Sequence, residues 1–169
     1  MKLGGTGGNK TKSGLIFEEK TDLKKTLLDN GFTINFNKVF YEKKFLGIIF
    51  SKNSFYKDIL EKNNIDWKKI SSKKILPDDG IYLKSKKKII IIEKKFQKVE
   101  GSVDEKLQTC DFKLKKYKKL CASLKNINVE YIYVLNEWFK KEKYNEVLLY
   151  IESVGCKYYF KQIPMSIII

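Results

Sequence analysis

Histidine and arginine are both absent from this chain of 169 residues, and cysteine occurs only three times. Without histidine, Ser-His-Asp and Cys-His nucleophilic catalysis, His-ligated zinc and nucleases that use a histidine base are excluded. Without arginine there is no guanidinium fork for guanine edges, so any reading of bases would fall to Lys, Asn, Gln or small polar groups. Cys110, Cys121 and Cys156 show no metal-ligand spacing and are an odd number. They read as small core residues of a reducing compartment. No apolar run has the length of a membrane span, and Met1 to Gly5 lacks the apolar core of a secretory signal. A cytoplasmic location and no membrane partner are therefore expected. Gly4-Gly5-Thr6-Gly7-Gly8 has neither a preceding strand nor a following Gly-Lys-Ser/Thr, so it is not a phosphate loop.

What the chain has in excess is lysine. All 35 basic residues are Lys, against 20 acidic ones, for a formal charge of +15. A surplus of that size favours a polyanion, because each phosphate neutralised releases condensed counterions. The length suits one domain with a substantial core. Residues 1–12, rich in Gly, Lys and Thr, read as a basic flexible arm, and 13–169 as the domain.

The densest signal is Leu76-Pro77-Asp78-Asp79-Gly80, followed by Ile89-Ile90-Ile91-Ile92-Glu93-Lys94-Lys95-Phe96-Gln97. Gly80 to Leu83 and Lys88 to Lys95 read as two strands joined by a turn around Lys84 to Lys87. The isoleucine run lacks polar alternation, as in a central strand covered on both faces. Charge appears abruptly at its end. The hairpin would bring Asp78 close to Glu93, with Lys95 on the same face two residues on. Two carboxylates and an ammonium converging there suit a divalent cation and a water, the chemistry of phosphodiester hydrolysis. Mg²⁺, which prefers hard oxygen ligands, fits Asp78 and Glu93, with the Lys94 carbonyl as a further ligand. Asp79 is the alternative to Asp78, since neighbours on a strand face opposite ways.

The remaining elements read in order. A helix begins at Ser13, with Leu15, Ile16, Leu23, Leu27 and Leu28 broadly on one side, and ends at Asn30-Gly31. Phe45 to Phe50 is the first strand. Helical segments at Asn53 to Asn63 and Asp66 to Ile70 form an insertion, with Trp67 buried. Ser102 and Glu105 suggest a capping box for a helix with an apolar stripe at Val103, Leu107, Cys110, Leu114, Tyr117, Cys121 and Leu124. Val129 to Leu135 is a strand, Asn136 caps a helix to about Ser153, and Lys157 to Lys161 is an edge strand. The apolar end Pro164 to Ile169 suggests a dimer surface or a continuing chain.

Pro77-Asp78 and Glu93-Lys94-Lys95, in the order helix, strand, Pro-Asp strand, Glu-x-Lys strand, helix, strand, resemble the PD-(D/E)XK nucleases, and among them type II restriction endonucleases. Gly80 and Gln97 also look like that group. The resemblance spans Ser13 to Leu135 and implies an α/β fold with an αβββαβ core, a mixed central sheet flanked by helices. It implies that Asp78, Glu93 and Lys95 are catalytic, with Glu18 of the first helix beside the metal. It also implies that the helix after the Glu-x-Lys strand lies along double-stranded DNA, with Lys106, Gln108 and Lys113 contacting phosphates, and that products carry 5′ phosphates. A double-strand cut needs two sites, hence a homodimer or sequential nicks. A restriction system would add a cognate DNA methyltransferase. A repair or junction-resolving nuclease of the same fold, and a basic DNA-binding protein without catalysis, remain the competing readings.

Overall fold

A computed structural model describes residues 12–101 and 103–169. The arm expected over 1–12 falls almost wholly outside them, and so does the proposed cap at Ser102. The fold is α/β: seven strands form one mixed sheet in simple sequence order, with helices on both faces. β1 (Thr33–Asn35), β2 (Lys38–Tyr41), β3 (Lys44–Phe50), β4 (Asp79–Leu83) and β5 (Lys88–Lys95) run antiparallel to one another. β6 (Asn128–Leu135) and β7 (Lys157–Phe160) then join parallel to β5, each reached by a helical crossover.

The strand β3 is the third of the sheet and not its first. The β1–β2 hairpin was invisible in the sequence because its turns do not use glycine. Phe36 has φ 55°, and Glu42 and Lys43, which join β2 to β3, have φ 48° and 65°. Such turns ordinarily advertise themselves with Asn-Gly or Asp-Gly.

The isoleucine strand is covered on both faces, as expected. Ile89 and Ile91 belong to one core, with Leu114, Tyr117 and Leu120 of α5 (Cys110–Cys121) and Leu148 and Ile151 of α6 (Asn145–Ser153). Ile90 and Ile92 belong to the other, with Leu23 and Leu27 of α2 (Leu23–Asp29), Ile163 and Ile168. Each fully buried isoleucine contributes about 1.5–3 kcal/mol. Near the C-terminus Ile163 and Ile168 are buried in this second core, while Ile169 is 49% exposed.

Three expected helices are broken. The first divides into α1 (Lys12–Lys20) and α2 because Asp22 caps the second: its carboxylate accepts from Lys25 N at 2.8 Å. The split leaves Leu15, Ile16 and Leu28 exposed. The insertion is a π-helical turn, Phe55–Leu60, followed by the short α3 (Trp67–Ile70). Trp67 is half-buried against Tyr56, ring centroids 5.1 Å apart. The third breaks into α4 (Val103–Leu107) and α5. Asn136 does not cap a helix by its side chain; 3₁₀ turns at Glu137–Lys140 and Glu142–Tyr144 precede α6. Among the described residues, no helix is long and apolar enough to cross a membrane.

Candidate active site

Register decides which acidic residues meet. Asp79 lies across from Ile92 and Gly80 from Ile91, so one step outward puts Asp78 opposite Glu93. Alternation places Asp78 and Glu93 on the face of α5, and Asp79 on the face of α2. There the Asp79 carboxylate accepts from Leu23 N at 3.2 Å and pairs with Lys94 Nζ at 2.6 Å. It also opens on a 260 Å³ cavity shared with Asp22 and Asp58. Burial pushes the Asp79 carboxyl above its ordinary value, and Lys94 and the Leu23 amide do not offset this fully.

The segment before β4 is held firmly. Tyr56 OH donates to Ile75 O at 3.0 Å and accepts from Ile75 N at 2.9 Å, and Tyr117 OH donates to the same carbonyl at 3.3 Å. Pro77 O accepts from Lys52 N at 2.8 Å. Gly80 must be glycine for packing: a Cβ there would enter the Phe50 ring and meet Ile90 O at 2.7 Å.

Asp78 Oδ2 accepts from Lys94 N at 2.8 Å, and Lys52 Nζ is ion-paired with Oδ1. Burial raises the Asp78 carboxyl, but the Lys52 ammonium, the Lys94 amide and the charge of Lys95 outweigh it, and the net direction is down. Glu93, buried at 8% exposure, accepts from Lys95 Nζ at 2.7 Å and Lys113 Nζ at 2.8 Å, both on Oε1. Lys52 feels Asp78, Glu93 and Glu18 together. Burial lowers its pKa, but these carboxylates outweigh that and raise it. So Asp78, Glu93, Lys95 and the field of Glu18 share one neighbourhood at the ends of β4 and β5.

Two residues join it that the sequence did not indicate, or indicated otherwise. Lys52 sits in the β3 turn with φ 46°, one lysine among many, and is aimed by a fold contact across 26 positions. Lys113, expected to face DNA, turns to Glu93 and is largely covered. Lys106 and Gln108 are exposed on and just after α4; the Lys106 carbonyl accepts from Tyr133 OH at 3.1 Å.

Gln97 is buried, and neither atom of its amide finds a partner among the described residues. Its backbone is clamped by Asn136, which accepts from Gln97 N at 3.1 Å and donates to Gln97 O at 2.8 Å. That clamp, in place of a helix cap, is what Asn136 does.

The donor types suit a hard cation: two carboxylates on one face, with Glu18 nearby. Among the described residues no three acidic, His or Cys side chains are grouped closely enough to hold a metal ion by themselves. Water, phosphate oxygens or the Lys94 carbonyl would have to complete a coordination shell. Neither the protein-family models nor the curated proteins and solved structures compared with this chain give a match.

Proposed function

We propose that this protein is a Mg²⁺-dependent DNA endonuclease, of the sequence-specific type II restriction kind, leaving 5′ phosphates. The observation that carries the reading is Asp78, one residue before β4, held by the Lys94 amide beside Glu93 at the end of β5, with Lys95 two residues on, on the same face and paired with Glu93. Asp78 and Glu93 would hold Mg²⁺ through oxygen, with the Lys94 carbonyl and Glu18 as the nearest further donors. Bound there, Mg²⁺ supplies Lewis acidity toward a phosphate oxygen and a water.

The chain's own residues supply the rest. Lys95 orients the attacking water and offsets charge on the phosphate. Lys52 and Lys113 neutralise the carboxylates at rest and, displaced from them, meet phosphate oxygens. The charge of +15 brings the polyanion to the site. A double-strand cut calls for a homodimer or two nicks, and a restriction role for a cognate methyltransferase. The same residues would serve a repair or junction-resolving nuclease, which branched DNA substrates distinguish.

One observation favours the reading without catalysis: both carboxylates are already paired with lysines, Asp78 with Lys52 and Glu93 with Lys95 and Lys113. In that case the charges merely close the end of the sheet of a basic DNA-binding protein. The test is incubation with plasmid and genomic DNA, in Mg²⁺ or EDTA, beside Lys95→Ala. Discrete Mg²⁺-dependent bands lost in the variant support a specific endonuclease, and a smear lost in it supports a less selective nuclease. Intact DNA from a folded, DNA-binding wild type refutes catalysis.

A further inference from the structure

Away from Asp78 and Glu93, a groove of 330 Å³ runs between the end of α3 and the outer face of α5. Ser71 and Ser72 form one wall, and Phe112, Lys115, Lys116 and Lys119 the other. The α5 residues stand at i, i+3, i+4 and i+7, so they make one stripe along the helix. That stripe is opposite in kind to the buried one formed by Leu114, Tyr117 and Cys121.

The stripe has an exposed aromatic in its midst. Phe112 is 65% exposed, although it could be replaced by a polar residue at no cost to the core. Lys116 Nζ lies 5.9 Å from its ring centroid. Lys115 pairs with Asp111 at 2.7 Å, but its side chain remains 74% exposed. Such a surface pair is weak and yields readily to a phosphate.

We infer that this groove binds an unpaired polynucleotide strand, with a base stacked on Phe112 and its phosphates on Lys115, Lys116, Lys119 and the two serines. Charge complementarity selects a polyanion. The aromatic face selects an unpaired one, because every base has a free π-face only outside a duplex. Lysine and serine grip phosphate without reading sequence, so the groove is sequence-tolerant. This inference does not rest on the endonuclease reading, since binding here needs neither Mg²⁺ nor Asp78 and Glu93.

The test is fluorescence anisotropy in EDTA with labelled oligo(dT), oligo(U) and a DNA duplex. The variants are Phe112→Ala, Lys116→Gln/Lys119→Gln, and a control, Lys140→Gln/Lys161→Gln, with equal charge removed elsewhere. Phe112→Ala is expected to weaken single-strand binding about tenfold, the loss of one stacked base, and to spare duplex binding. Lys116→Gln/Lys119→Gln should reduce the log–log salt slope by about 1.4, two phosphate contacts at 0.7 each. Binding of either oligonucleotide type with that pattern supports the groove, and the tighter one identifies whether DNA or RNA is its ligand. Unchanged single-strand binding in both groove variants overturns it. So does an equal loss in the control, or displacement of oligo(dT) by polyglutamate at matched charge. Circular dichroism of each variant checks that the fold is intact, which is favoured because none of the five substituted positions is buried.

Discussion

Replacing Lys94 by methionine should separate the two faces of β5 energetically. Lys94 Nζ is 2.6 Å from Asp79, with side chains 8% and 12% exposed. Burial already pushes the Asp79 carboxyl upward, and Lys94 is the chief group opposing it. Lys94→Met strands a buried carboxylate, and breaking such a pair costs about 3–5 kcal/mol. For a chain of this size, about 3 kcal/mol lowers Tm by roughly 6–12 °C. The sign with pH follows from the raised folded pKa: the folded state takes up the Asp79 proton before the unfolded one does. The penalty is therefore largest near neutrality and shrinks as pH falls through the raised value. Adding Asp79→Asn to Lys94→Met removes the stranded charge, keeps an acceptor for Leu23 N, and should return stability to the wild-type level or above it. Urea and thermal unfolding at several pH values measure all of this. A single variant within about 1 kcal/mol of wild type at neutral pH, or a double variant no better than the single, would refute the argument.

Other outcomes follow from particular contacts. Gly47→Ala should destabilise more than Gly80→Ala, because its Cβ would lie closer to the Tyr82 backbone carbonyl than a Gly80 Cβ would to its nearest backbone atom, Ile90 O at 2.7 Å. Overpacking of this kind costs about 1–3 kcal/mol, and a reversed order in denaturant midpoints would contradict it. Asn136→Ala removes both hydrogen bonds to the Gln97 backbone and should cost about 1–3 kcal/mol, readable in urea unfolding. Asp78 has a lowered folded pKa, so its contribution is fully present above its ordinary value of 3.8 and is lost as pH falls through the folded one. The Tm difference between wild type and Asp78→Asn should stay level from pH 7 to about 4 and shrink only below; shrinkage between pH 7 and 5 would count against it. Glu93→Gln should abolish any Mg²⁺-dependent cleavage and keep DNA binding in EDTA; cleavage at the wild-type rate would remove Glu93 from the site.

Local pattern carried the centre of the sheet. The run Ile89 to Ile92 bounded by turn residues marked a central strand, and its switch to charge at Glu93 marked the strand end, because both depend only on neighbours in the chain. The same pattern left the choice between Asp78 and Asp79 open. Pairing with Ile92 then sent Asp79 to Leu23 and Lys94 on the α2 face, while Asp78, one residue outside β4, accepts from the Lys94 amide beside Glu93. A one-residue shift of register would have exchanged them.

Composition determined, by the absence of histidine and arginine, which chemistries are closed to this protein, and the lysine excess determined its net charge of +15. Periodicity determined the β4–β5 hairpin and the buried stripe of α5. Tertiary structure alone decided the rest: the hairpins that turn on Phe36, Glu42 and Lys43 without glycine, the break at Asp22, and the approach of Lys52 to Asp78 and Lys113 to Glu93. Those features depend on contacts between residues far apart in the chain, and a solvated lysine and a buried, paired one are spelled alike.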